Sequence, residues 1–199
     1  MFQTGRSIFS LFQETIMEEY LIKELKRLIN FSNGRAHTDR LVELLRAHPE
    51  WHKILIDIYL SDEESFSRKI VWAIDIYADE DPGAVIPYVE TISEYLQTFS
   101  HNALKRHSLH LLSRFPLPER NLGKLVDICF KWILDRKQDV SVKVYCMEIL
   151  YRISLSETGL KQELTDSIGL RIAEETPGFQ NRGTKILRKL SLVTGNKYN

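Results

Sequence analysis

The chain has 199 residues, 43% hydrophobic and 27% charged, an ordinary globular composition that excludes disorder as its general state. Its 27 Lys and Arg balance 27 Asp and Glu, which excludes a protein that coats nucleic acid along its whole length. The balance is uneven, because residues 1–99 carry 10 Lys and Arg against 17 Asp and Glu, and residues 100–199 carry 17 against 10. Such a dipolar chain can steer a charged partner although it is neutral in sum.

Residues 1–12 read as an irregular lead, and residues 13–199 as a single helical domain. Arg6 and the apolar run Ile8 to Phe12 are too short for a signal-peptide core, and no small-residue cleavage site follows. No stretch approaches the roughly 18 apolar residues of a membrane span. The helical pattern becomes regular near Met17, a candidate native start. A helix is expected over Gln13 to Asn30, with Ile16, Tyr20, Leu21, Leu25 and Leu28 on one side. The stop FSNG at 31–34 ends it. Thr38 is the expected N-cap of a short helix carrying Leu41, Val42, Leu44 and Leu45, which Pro49 ends.

From Trp51 onward two helix types alternate. Trp51, Leu55 and Tyr59 begin one track, which returns at Tyr88, Ile92, Leu96, then at Leu125, Cys129, Ile133, and then at Leu164, Ile168, Ile172. Phe66, Ile70, Ile74 and Tyr77 begin the second track. It returns at Leu104, Ser108, Leu112, Phe115, then at Val142, Cys146, Leu150, Ile153, and then at Phe179, Gly183, Leu187, Leu190. The first type is expected over 50–60, 84–98, 121–135 and 160–175, the second over 65–78, 102–115, 140–154 and 179–192. Breakers and caps fall between them: Ser61 with Glu64 as a capping box, Asp81-Pro82-Gly83, Pro116 and Pro118, Asp139, Ser156 to Gly159, and Pro177-Gly178. No segment alternates with period two, so no sheet is expected.

One helix pair cannot bury its own apolar stripe, but stacked pairs can. A self-similar period near 40 residues therefore predicts an all-α fold, a right-handed α-α superhelix of about five helix pairs. Ser108, Cys146 and Gly183 on the second track would let helices approach closely. Cys129 and Cys146 sit on apolar tracks and read as buried thiols, consistent with a reducing compartment and a soluble, cytoplasmic protein.

The strings DVSVKVYCMEIL and HNALKRHSLHLL share an acidic or small start, a basic residue beside an apolar one, and a small residue before a Leu pair. In this the chain resembles HEAT-like repeats over about residues 38–192. It is also similar to a group of bacterial HEAT-like proteins of comparable length that often carry the label adenylosuccinate lyase. The lyase family so named is more than twice as long and has an SSxMPxKxNP-type mobile loop. No such string occurs here, so no lyase activity is expected.

No GxGxxG, GxxxxGK[ST], GxSxG, HExxH or CxxC occurs, and neither a cofactor nor a metal is expected. His48 and His52 read as solvated or capping histidines because Pro49 separates them. His107 and His110 share one helix with no third ligand near in sequence.

In HEAT-like stacks the second helix type lines the concave face. Stepping about 100° per residue from the core direction gives columns across the repeats. Arg68, Trp72 and Asp75 recur as Arg106, His110 and Ser113, then as Val144, Glu148 and Tyr151, then as Asn181, Lys185 and Arg188. A flanking column reads Lys69, His107, Tyr145 and Arg182. The expected face is basic, with aromatic anchors at Trp72, Tyr145 and Tyr151 and electrostatic contacts from Arg68, Arg106, Arg182, Lys185 and Arg188. It suits a protein or other acidic partner without catalysis. The alternative is nucleic acid. Trp72, Asp75 and Arg106 are distantly similar to the Trp, Asp and Arg of the DNA-alkylation-repair HEAT-like family. That family spaces its Trp and Asp four apart, against three here, and it has a second cleft Trp that this chain lacks.

Overall fold

Pro49 lacks an amide donor and presets φ, so it opens a 3-10 turn, Pro49–Trp51, rather than continuing the preceding helix. That helix, α1, runs Arg35–Ala47, and α2 follows over His52–Leu60. Asp62 closes α2 in the left-handed conformation, with φ 56°. The second-type helix α3 then spans Glu64–Tyr77. The computed structural model describes residues 35–62 and 64–195, together with Ile16, residues 19–25 and Arg27. The expected lead, the Met17 start, Leu28 and the FSNG stop lie outside the described residues.

The chain divides into two compact units between Tyr77 and Ala78. In the first unit, α3 packs against both α1 and α2. Residues 19–25 are helical, and Leu21 and Leu25 are buried while Ile16 and Tyr20 are exposed. The buried stripe is thus narrower than the spacing predicts. Thr38 is a buried residue inside α1 rather than its N-cap, because the helix begins at Arg35, whose guanidinium reaches Asp39 at 3.0 Å. Ser61 does not open α3. Its hydroxyl donates to the Ile58 carbonyl at 2.8 Å, which closes α2.

In the second unit, the helix expected over 84–98 is mostly not α-helical. Two 3-10 turns, Pro82–Ala84 and Ile86–Tyr88, precede a short α4, Val89–Tyr95. Pro82 and Pro87 each remove a helical amide donor, and this overrides the apolar spacing. Asp81 caps the first turn, accepting from the Gly83 amide at 3.0 Å. The remaining elements match their expected bounds closely: α5 Asn102–Arg114, α6 Leu122–Leu134, α7 Val140–Ser154, α8 Leu160–Ile172 and α9 Pro177–Gly195. Asp139 caps α7, accepting from the Ser141 amide at 2.8 Å. There is no strand among the described residues.

Helices α5, α7 and α9 pack side by side as one layer of this unit, and α6 and α8 pack beneath α7 and α9 as the other. Leu104, Ser108, Leu112, Val142, Cys146, Leu150, Phe179 and Leu190 are buried between the layers as their periodicity predicts. Glu90 of α4 ties the first-type helices together, its carboxylate accepting from the Glu119 and Arg120 amides at 2.6 and 3.1 Å ahead of α6. Cys129 and Cys146 are both buried, and burial, then the hydrogen bond with Cys129, pushes the Cys146 thiol well up.

Gly183 shows why a small residue belongs on this track. A Cβ there would lie 2.9 Å from Ile168 Cγ2 and 3.4 Å from Ile172 Cδ1. The Ile168 γ-methyl sits on a β-branched carbon and cannot swing away. Gly183→Ala is therefore expected to destabilise the protein by roughly 1 kcal/mol net: overpacking costs about 1–3 kcal/mol and improved helix propensity offsets about 1. Urea unfolding of the two proteins measures the difference.

Candidate partner-binding face

The layer of α5, α7 and α9 carries Lys105, Arg106, Arg114, Lys143, Arg152, Arg182, Lys185, Arg188 and Lys189, and Glu148 is its one acidic residue. The opposite layer of α4, α6 and α8 is mixed, with five acids and four Lys or Arg. Charge is thus sorted by layer, not merely by chain half.

Several of these cations are structural. Lys143 is 1% exposed and donates to Glu175 Oε1 at 2.6 Å, and Arg171 of α8 donates to the same oxygen at 2.7 Å. Arg152 donates to the carbonyls of Leu112 and Phe115, both at 2.8 Å. Arg182 pairs with Glu148. Arg106, Lys185 and Arg188 stand exposed, and Lys185 and Arg188 make no ion pair among the described residues.

Arg106 donates to His107 Nε2 at 2.8 Å. His107 is buried, and His110 turns instead toward Tyr145, with ring centroids 4.7 Å apart at 31°. The two histidines do not converge. No group of three or more His, Cys, Asp or Glu among the described residues could hold a metal ion. His48 stacks on Trp51 at 3.8 Å, and His52 Nε2 donates to the Leu45 carbonyl at 2.9 Å, a capping histidine as expected.

The aromatic anchors are less open than the sequence implies. Trp72 is half-buried and Asp75 is 6% exposed; with Arg68 they lie on α3 of the first unit. Tyr145 and Tyr151 are half-buried on α7, and Lys189 Nζ lies 4.9 Å above the Tyr151 ring. Trp132, on α6, is buried beneath Lys105 at 5.6 Å.

Between α7 and α9 lies an open groove of about 510 Å³. Val140, Val144, Pro177 and Gly178 form its apolar walls, with Tyr145 and Arg182 at its edges. Hydrogen bonds from Ser141, opposed by burial and aided by the nearby charge of Arg106, hold the Asp139 carboxyl below its ordinary range. Arg106 stands exposed on the neighbouring α5, one repeat of 38 residues before the groove residue Val144, and Lys185, one turn beyond Asn181 and Arg182, flanks the α9 side. The sequence columns contained these residues, but the groove itself was not legible: Pro177 and Gly178 read only as a helix boundary.

No helix among the described residues is long and apolar enough to cross a membrane. Residues 21–190 match the family model of a HEAT repeat domain. No curated protein and no solved structure matches the chain.

Proposed function

The chain belongs to the HEAT repeat domain family, and on that premise we propose that it is a non-enzymatic scaffold whose α5–α7–α9 layer binds an acidic protein partner. The observation that carries this reading is the sorting of nine Lys and Arg against one acid onto that layer. The mechanism is charge and shape complementarity, with Arg106, Lys185 and Arg188 as exposed contacts and Arg182, His110 and Tyr145 framing the surface. In the first unit, taken by itself, Arg68 and Trp72 of α3 are candidate contacts, and Asp75 is buried.

Nucleic acid shares the charge requirement. Base stacking also needs an open ring face, and Tyr145 and Tyr151 already pack against His110 and Lys189. A damaged-base site built on Asp75 is disfavoured by its burial. These contacts favour the protein reading.

The test is anisotropy with labelled poly-glutamate, poly-lysine and a single-stranded oligonucleotide at low and physiological salt. Poly-glutamate is expected to bind best, with affinity falling as salt rises. Charge reversal of Arg106, Lys185 and Arg188 together is expected to weaken it at least about tenfold, as loss of three favourable contacts implies. Oligonucleotide binding with a steeper salt slope would replace this reading with the nucleic-acid one.

A further inference from the structure

We propose that the groove between α7 and α9 is a specificity pocket that takes one large apolar side chain of an extended acidic peptide. The peptide's carboxylates would flank that side chain on Arg106 and Lys185. This rests on the acidic-partner reading and adds to it a site and a sequence preference.

The groove's shape and lining select such an occupant. Its volume of about 510 Å³ lies within the range of ligand pockets and exceeds what one aromatic side chain needs. Its walls are Val140, Val144, Pro177 and Gly178, which offer methyl and methylene surface and few hydrogen bonds. Ser141 and Asn181 supply polar groups at the rim, where a peptide backbone would lie. Exposed cations stand on both sides: Arg106 on α5, which packs on the other side of α7, and Lys185 on α9, one turn from Asn181. The nearby acids are already engaged, Asp139 in capping α7 and Glu148 in pairing Arg182. An apolar slot between exposed positive charges complements an apolar residue between negative ones. A base would find no ring to stack on except Tyr145, which is packed against His110.

Gly178 makes the proposal testable without disturbing the fold. A Cβ there would meet Val140 Cγ2 at 3.6 Å and Thr176 Oγ1 at 4.0 Å, ordinary contact distances. Gly178→Leu adds helix propensity in the first turn of α9 while filling the groove. Asn181→Trp, at an exposed position of the same wall, is a second block.

Fluorescence anisotropy would compare labelled pentapeptides with two glutamates on each side of a central phenylalanine or a central alanine, and a lysine-flanked phenylalanine peptide. The phenylalanine peptide is expected to bind roughly tenfold more tightly than its alanine counterpart, the ratio that burying one such side chain supports. Gly178→Leu and Asn181→Trp should each remove that advantage, and neither should lower the melting temperature. An advantage that survives both variants overturns the groove site and leaves the basic-layer reading standing. Acidic peptides that bind no better than the lysine-flanked one overturn both. Competition by an oligonucleotide at lower concentration, or concentration-dependent dimerisation abolished by Gly178→Leu, would assign the groove to nucleic acid or to a second copy and also overturn the proposal.

Discussion

Glu175→Gln is expected to destabilise the protein by about 3 kcal/mol at neutral pH, measured by urea unfolding followed by circular dichroism. One carboxylate oxygen accepts from both Lys143 and Arg171, at 2.6 and 2.7 Å, and Lys143 and Arg171 are almost wholly buried. Removing the anion leaves buried Lys143 without its counter-charge beside Arg171, which keeps Glu174 at 3.1 Å, and breaking a buried pair from one side costs about 3–5 kcal/mol. The amide keeps part of the hydrogen bonding, which places the effect at the lower end. Lys143→Met removes a cation instead and leaves Glu175 paired with Arg171, so its expected cost is within about 1 kcal/mol. The pH dependence has a definite sign. Burial raises the Glu175 pKa, but the hydrogen bonds and charges of Lys143 and Arg171 outweigh it and hold the carboxyl below its ordinary value of 4.5. A depressed folded pKa contributes stability above the unfolded value, and that contribution is lost as pH falls through the folded one. The gap between wild type and Glu175→Gln should therefore be full at neutral pH and close below the ordinary carboxylate range. A gap that widens on acidification would refute this account.

Arg152→Met is expected to cost about 2–3 kcal/mol, the loss of two charge-assisted hydrogen bonds with two carbonyls left behind. The reason lies in the chain four residues beyond Leu112. An uninterrupted helix would satisfy the Leu112 carbonyl from residue 116, but Pro116 has no amide hydrogen. Arg152 reaches across from α7 and supplies the missing donor, with its second nitrogen on the Phe115 carbonyl. The same side chain thus closes α5 and ties two successive second-type helices. Arg152→Lys should recover only part of the loss, because one ammonium does not reproduce the two-pronged geometry of the guanidinium. Equal stability of the Lys variant and wild type would show that charge alone matters. Hydrogen exchange should place the weakening in the last turn of α5.

Both sites mark where reading the sequence stopped. Lys143 appears in it as a basic residue beside an apolar one, and Arg152 lies on neither apolar track. Neither spacing nor composition indicates that Glu175, 32 residues beyond Lys143, returns to it, or that Pro116 leaves a carbonyl for Arg152. Such pairings depend on how one repeat seats on the next, and a helical period fixes which face is buried without fixing which polar atoms meet across it.

The same distinction holds for the candidate site. The two apolar tracks, the alternation of helix types and the close approach at Gly183 follow from side-chain size and a period of 3.6 residues, and the sequence alone determined them. It also determined that the second helix type after residue 100 is basic. Tertiary structure decided which cations remain exposed, because Lys143, Arg152 and Arg182 are taken by Glu175, backbone carbonyls and Glu148. The shortening of α4 to seven residues behind two proline-containing turns is a local effect of Pro82 and Pro87 that the apolar spacing hid. Tertiary structure also decided the groove between α7 and α9, whose walls come from residues 33 to 38 positions apart, brought together only when the apolar tracks of neighbouring repeats close on each other.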